Sequence, residues 1–364
     1  MIPLFERFPA IALKISRLSF GEFPTPVERL SGLSRRLERA DLYIKRDDLT
    51  SRVYGGNKVR KLEFLLADAL RQGAQRVITT GGAGSNHALA TAIYGAKAGL
   101  KTVLMLLRQP NSHSVRHNLI MDFVSGAELI HHDTYQEHVQ AFEETVHRYE
   151  SADGKPPYVI PLGGSSEIGA IGYVNAGLEL AAEIFSGELP PPSHIYLALG
   201  TMGTAMGLLL GLKAAGVKTN LQAVRAVPTY VGSMDKCLIL FNQTNELLRK
   251  MDPSFPSCSL EQDDLTIRQE FFGEKYGLFT PDAVAAATLF RESDGIILDG
   301  TYTGKAGAAF LADVRSNRDG PVLFWNTKNS RPLPPEVIAA DYHQLPMPLH
   351  SYFNDPVQPL DKGL

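Results

Sequence analysis

The stretch YGGNKVRKLEFLLADAL, Tyr54 to Leu70, sets two glycines and an asparagine directly before a lysine and then continues as an amphipathic helical pattern. Glycine lets a backbone bend sharply or lie close against a neighbour. Lys58 therefore stands where the chain turns into a helix. A surface lysine needs no such preparation. A lysine that must meet a ligand carbonyl does, because its amine has to lie beside the ligand while its own backbone keeps clear.

Around this stretch, short apolar or β-branched runs alternate with helical patterns. Strands are predicted at 77–80, 102–107, 128–132 and 158–161, separated by helices at 87–99, 114–126 and 135–149. A second series follows, with helices at 168–185 and 203–215 and strands at 194–200 and 221–227. After a long helical region come a strand at 295–299, a helix at 304–315 and a strand at 322–327. This alternation predicts an α/β fold of parallel sheets with flanking helices. Sheets of that kind bind ligands at the carboxyl ends of their strands, which points to three loops, 81–86, 200–204 and 300–304. Residues 186–193 read as a proline-rich connector, 251–264 as an exposed insertion, and the tail from Arg331 as a segment wrapping the surface.

The composition excludes several classes. Of the 364 residues, 44% are hydrophobic and 21% charged, the balance of a globular chain. A net charge of −3 and a pI near 6.4 argue against nucleic acid or an anionic membrane as partner. The two cysteines, Cys237 and Cys258, are expected as reduced thiols. The N-terminal residues carry Glu6, Arg7 and Lys14 and lack the apolar core of a signal peptide. The longest apolar stretch, Ala205 to Leu212, is too short to span a bilayer. The expectation is a soluble cytoplasmic enzyme with no membrane or nucleic-acid partner.

The three loops carry the chemistry. In LGTMGTAMG, Leu199 to Gly207, the residues Gly200, Thr201, Met202, Gly203 and Thr204 lie between a strand and a helix. Backbone N–H groups there can converge on an anion at the helix N-terminus. No lysine follows in the triphosphate-binding pattern, so a monophosphate suits the loop better; a plain tight turn explains it equally well. In TTGGAGSNHALA, Thr79 to Ala90, Ser85 and Asn86 occupy a capping position that would also hold a carboxylate. Gly82 and Gly84 begin a dinucleotide fingerprint that His87 then breaks, and Arg108 keeps an NADP enzyme as a competing reading. In LDGTYTGKAG, Leu298 to Gly307, Tyr302 and Thr303 would face the same cleft, although a tyrosine so placed is often core packing. His113 and His117 are four apart on a helix but no third ligand is evident, and no metal site is predicted.

The blocks IKRDD and GGNKVRKLE, followed in order by SNH (85–87), EIGAIGYVNAGLEL (167–180), KYGL (275–278) and YTGKAG (302–307), resemble the fold-type II pyridoxal-phosphate (PLP) enzymes. The closer likeness is to the branch of D-cysteine desulfhydrase and 1-aminocyclopropane-1-carboxylate (ACC) deaminase. The resemblance implies a tryptophan-synthase-β-like fold of two α/β domains, the smaller at 55–163 inserted into a larger PLP-binding one at 1–54 and 164–364. It implies that Lys58 is the Schiff-base lysine and proton carrier, and that Asn86 bonds the cofactor's phenolic oxygen. Ser85, Asn86 and His87 would hold the substrate carboxylate, and Gly200 to Thr204 the cofactor phosphate. Tyr276 and Tyr302 would face substrate and leaving group. Thr303 stands where ACC deaminase has a glutamate beside the ring nitrogen; a threonine hydroxyl there would donate to an unprotonated nitrogen, which suits β-elimination.

Three departures accompany the likeness. Thr327 is followed by Lys328 and Asn329 in place of two glycines, Gly84 replaces a glutamine, and no arginine or glutamine follows His87. The expected reaction is α,β-elimination of a small β-substituted amino acid, D-cysteine first, giving pyruvate, ammonia and hydrogen sulfide in a cytoplasmic homodimeric lyase. The alternatives are an ACC deaminase, a cysteate-type sulfo-lyase, and a PLP-binding protein without turnover.

Overall fold

The computed structural model describes residues 2–361 apart from 317–319 and 333. Ten strands are described: β1 (Val27–Arg29), β2 (Leu42–Lys45), β3 (Arg76–Gly82), β4 (Lys101–Leu107), β5 (Glu128–His132), β6 (Tyr158–Ile160), β7 (His194–Leu199), β8 (Asn220–Arg225), β9 (Leu265–Arg268) and β10 (Val322–Trp325). They form two sheets. One has the order β5-β4-β3-β6 and is wholly parallel. The other has the order β1-β2-β10-β7-β8-β9 and is parallel except where β1 pairs with β2. The α/β architecture follows from strands whose apolar side chains are covered on both faces by helices, as in the fully buried run Val322–Trp325.

The helix that opens on Lys58 runs to Arg71 and is buried nearly all round, including Arg60, Lys61 and Glu63. It packs against the Glu167–Phe185 helix under one sheet and against the Asn86–Lys97 helix of the other. Polar residues on a helix in that position must find partners inside the protein. Glu63 does so by accepting from Arg17 Nε at 2.7 Å and from the amides of Phe20 and Gly21 at 2.8 Å.

The segment Leu162–Phe185, which includes the Glu167–Phe185 helix, is long and apolar enough to cross a membrane, unlike the shorter stretch the sequence singled out, and 83% of its most apolar 18 residues is buried in the protein. It crosses the Gly203–Ala215 helix backbone to backbone. A Cβ on Gly207 would lie 2.3 Å from the carbonyl oxygen of Ala170, and one on Gly211 2.2 Å from that of Val174.

Three sequence expectations are corrected. Residues 295–299 are not a strand, because β9 occupies the sheet edge beside β8. Ile296 and Leu298 instead bury their side chains against the helices Pro281–Asp294 and Thr303–Arg315. With Ile297 exposed between them, their alternating pattern reflects one buried face of an extended loop rather than sheet pairing. The tail beyond Arg331 is not merely superficial: Val337, Leu345, Leu349 and Tyr352 join the core around the four-stranded sheet. The segment 251–264 is anchored, with the Phe255 ring 4.8 Å from that of Phe8 and Asn245 bonding both Pro256 O and Cys258 N.

Candidate active site

A cleft of about 770 Å³ lies where the carboxyl ends of β3, β4, β7 and β10 face one another across the two sheets. Residues of all three loops line it, together with Lys58. The glycines before Lys58 are explained by close approach. A Cβ on Gly55 would stand 2.1 Å from Asp48 O, and Gly56 adopts φ +95° with Thr327 O 2.9 Å from its Cβ position. Asn329, which stands in place of a glycine, accepts through Oδ1 from Gly55 N at 2.7 Å and pins the turn.

Among the described residues the Lys58 amine meets only the carbonyl of Gly163, at 3.4 Å, and burial lowers its pKa to about 8. One turn on, Lys61 is 1% exposed and bonds Gly163 O at 3.1 Å and Ser165 Oγ at 3.2 Å, with no acid partner among the described residues. Burial, followed by the nearby Lys58 charge, pushes its pKa well down. A buried cation without a carboxylate is costly unless an anion arrives to pair with it.

Lys61 stands at the Gly200–Thr204 loop, since a Cβ on Gly203 would be 2.9 Å from its Nζ. Ser165 Oγ ties the loop down by bonding Thr201 Oγ1 at 2.8 Å and accepting from Gly203 N at 3.0 Å. Asn57 Nδ2 donates to Thr204 Oγ1 at 2.9 Å, joining the loop to the residue before Lys58. Met202 holds φ +68°, a left-handed conformation rare outside glycine, which turns the backbone into the helix. The first-turn N–H groups of that helix have no residue four positions back to satisfy them, so donors and a cation converge on one spot. Lys61 and Ser165 were missed in the sequence; the i, i+3 spacing of Lys61 from Lys58 was the available signal.

At the second loop Ser85 caps the Asn86–Lys97 helix, accepting from Ala88 N at 3.2 Å, so its hydroxyl has a structural duty. Asn118 Nδ2 donates to Gly84 O at 2.9 Å and to Asn86 Oδ1 at 3.0 Å. A carbonyl can only accept, so the Asn118 amide has one orientation, and Asn86 must direct its Nδ2 elsewhere. The His87 side chain is engaged away from a carboxylate held by this turn. Thr79 Oγ1 donates to Ile160 O at 2.9 Å and so accepts from His87 Nε2 at 3.0 Å. That leaves Nδ1 as a buried lone pair without a partner, in a ring that burial keeps neutral. Only the His87 backbone can serve an anion.

Tyr276 and Tyr302 bond hydroxyl to hydroxyl at 2.8 Å on the opposite wall. Burial raises the pKa of both, and the neighbouring Tyr276 and Asp299 raise that of Tyr302 further, so both phenols keep their protons at neutral pH. Thr303 is corrected as a donor into the cleft. It is 1% exposed, and its hydroxyl donates to Asp299 Oδ2 at 2.8 Å and accepts from Asp299 N at 2.8 Å. The group lining the cleft there is Asp299 itself. Arg108, the possible 2′-phosphate ligand, is paired with Asp133 at 2.8 Å.

The residues present fit pyridoxal phosphate. An unpaired buried lysine beside a helix start suits a phosphate, and a second amine held near neutrality suits an aldehyde. Comparison with known proteins agrees. The model of the pyridoxal-phosphate dependent enzyme family matches residues 18–328. D-cysteine desulfhydrase of Yersinia enterocolitica is 38% identical over 311 residues, 83% of this chain and 90% of the relative. That of Serratia proteamaculans is 36% identical over 321 residues, 85% of this chain and 93% of the relative. The crystal structure of an ACC deaminase homologue superposes with a TM-score of 0.75 at 32% identity, covering 90% of this chain and 94% of that one. With the family match spanning most of the chain, and its cleft equipped for an aldehyde and a phosphate, this chain belongs to the pyridoxal-phosphate dependent enzymes.

Proposed function

We propose that this enzyme eliminates the β-substituent of a small amino acid, D-cysteine first, releasing pyruvate, ammonia and hydrogen sulfide. The observation that carries the reading is an amine of lowered pKa facing two protonated phenols across one cleft. The identity of 38% to a D-cysteine desulfhydrase supports the substrate.

Bound pyridoxal phosphate supplies an electron sink for the substrate's α-carbon. Lys58 would anchor the cofactor, and its amine, in the neutral form, would take the substrate's α-proton. Tyr302 or Tyr276 gives a proton to the departing sulfur; the hydrogen bond between the two lets the second replenish the first. Lys61 and the Gly200–Thr204 backbone would hold the phosphate. The N–H groups at the start of the Asn86–Lys97 helix hold the substrate carboxylate, positioned by the Ser85 cap. Asn86, with its Nδ2 freed by Asn118, would donate to the cofactor's phenolic oxygen.

Adding D-cysteine to the holoenzyme is expected to perturb its visible absorption band while sulfide and pyruvate appear in equal amounts. A band with no product from D-cysteine, but 2-oxobutyrate from ACC, would overturn the lyase reading in favour of the deaminase. Asn118→Leu is expected to weaken pyridoxal phosphate about tenfold, the scale of one hydrogen bond to a charged group. Asn118→Asp should do at least as much damage, because a carboxylate draws the Asn86 Nδ2 back towards itself. A fluorescence titration of the apoenzyme checks both.

The domain division at 55–163 is part of the same proposal, supported by sheets drawn from separate stretches of chain. So is a cytoplasmic homodimer, supported by two unbridged cysteines for the compartment and by the family resemblance for the assembly. Sedimentation checks the assembly.

A further inference from the structure

A second cavity of about 170 Å³ adjoins the cleft and shares with it Asn86, Tyr276, Asp299, Tyr302 and Lys328. Its remaining wall is rich in donors, among them Gln109, Asn118 and Arg331. Lys328 makes no hydrogen bond through its amine and no ion pair among the described residues. Arg331 spends Nε and one terminal nitrogen on the carbonyls of Ser51 and Leu49, at 2.8 and 3.3 Å, and has no acid partner there either. The one acid, Asp299, is already supplied with donors: Thr301 N at 2.9 Å and Tyr302 N at 2.6 Å on Oδ1, and Thr303 Oγ1 at 2.8 Å on Oδ2. The cavity therefore carries two cations against one satisfied carboxylate. Its volume has room for a carboxylate or sulfonate.

Its position matters as much as its charge. With the substrate carboxylate at the Asn86–Lys97 helix start, a substituent on the β-carbon points to Tyr276 and Tyr302, and the cavity lies against that same pair. We propose that, among β-substituents longer than the thiol of D-cysteine, Lys328 makes the enzyme prefer those that end in an acid, seated in this cavity against the Lys328 amine. This rests on the lyase reading and names its substrate class. For a thioether substrate the α-proton passes to Lys58 and the Cβ–S bond breaks with its electron pair leaving on sulfur. Sulfur then takes a proton from the tyrosine pair, and the released enamine takes up water to give pyruvate and ammonium. No oxidant or reductant is needed.

The test compares S-carboxymethyl-D-cysteine with its near-isosteric neutral amide, S-carbamoylmethyl-D-cysteine, so that only charge differs. The holoenzyme should prefer the acid by about tenfold or more in kcat/KM, as a charge-assisted contact implies. Lys328→Gln should bring the two within about threefold. β-Chloro-D-alanine, which has no acid and no long arm, reports whether elimination itself occurs. Pyruvate from chloroalanine with no preference for the acid in the wild type overturns the proposal and leaves the lyase reading standing. If neither D-cysteine nor any of the three yields pyruvate, the lyase reading fails. The acid site is then decided by binding of D-2-aminoadipate, which has no leaving group, against its 6-amide, read from the visible band. Tighter binding of the acid in wild type but not in Lys328→Gln supports the site; equal binding overturns it.

Discussion

Lys58→Ala is expected to lose the visible band of bound pyridoxal phosphate and to release pyruvate at least about a thousandfold more slowly than wild type, the scale of losing a covalent anchor and a proton carrier together. The companion variant Lys61→Met separates the two lysines of the cleft. It should keep the band but need more cofactor to develop it, because Lys61 supplies charge to the phosphate loop and not the anchoring amine. An unchanged band in Lys58→Ala together with its loss in Lys61→Met would transfer the anchoring role one turn along the helix. The Lys58 amine also carries a pH signature. Burial lowers its pKa to about 8, so it is protonated below that value and nucleophilic above it. The rate at which apoenzyme captures added pyridoxal phosphate should therefore rise with pH and level off above about 8. A rate that is flat from pH 7 to 9 would contradict the buried amine.

The second large effect concerns stability. On the face of the same helix away from the cleft, Arg60 donates to Asp47 at 2.8 Å, to both oxygens of Glu179 at 2.9 Å and to Thr25 Oγ1 at 3.0 Å. Its guanidinium lies 4.2 Å from the centre of the Phe23 ring. Arg60, Asp47 and Glu179 are each at most 3% exposed. Arg60→Ala leaves two buried carboxylates short of a counter-charge, and the loss should be about 3–5 kcal/mol. It would appear in urea unfolding as a lower midpoint with an unchanged slope. Arg60→Lys should recover only part, since one ammonium cannot reach three acceptors held in the plane of a guanidinium. Lys45, bonded to Glu179 at 2.9 Å, softens the loss and keeps it from being larger. A midpoint shift under about 1 kcal/mol would mean that the carboxylates protonate or hydrate without cost.

The two effects share an origin. The helix that presents Lys58 is fixed from behind by charges that belong to neither sheet alone: Asp47 follows β2, and Glu179 lies on the Glu167–Phe185 helix. Positioning a reactive amine to within a fraction of an ångström needs a rigid backing, and a fully bonded buried arginine supplies it.

The α/β architecture was readable from local signals. Strand–helix alternation, glycine at strand ends and the turn before Lys58 are short-range features, since each depends on backbone conformation within a few residues. The three loops could therefore be picked out before it was known that they meet. What alternation could not give was the partner of each strand. Residues 295–299 and Leu265–Arg268 have similar apolar patterns, and competition for one sheet edge decided between them.

Side-chain duties were harder still. Thr303 was expected to face the cleft, yet its hydroxyl is taken by an aspartate four residues back. His87 was expected in a turn that serves an anion, and nothing local showed that Thr79 claims one ring nitrogen, fixes the tautomer and leaves only the backbone for that task. Asn118 and Lys61 drew no notice, because nothing in their immediate neighbours shows that one orients Asn86 and the other awaits a phosphate. A residue's conformation is set largely by its neighbours in the chain, whereas the use of a polar atom is set by whichever distant donor, acceptor or charge reaches it first. The chain order thus specifies elements and turns, and packing assigns each buried polar group its partner or leaves it free for a ligand.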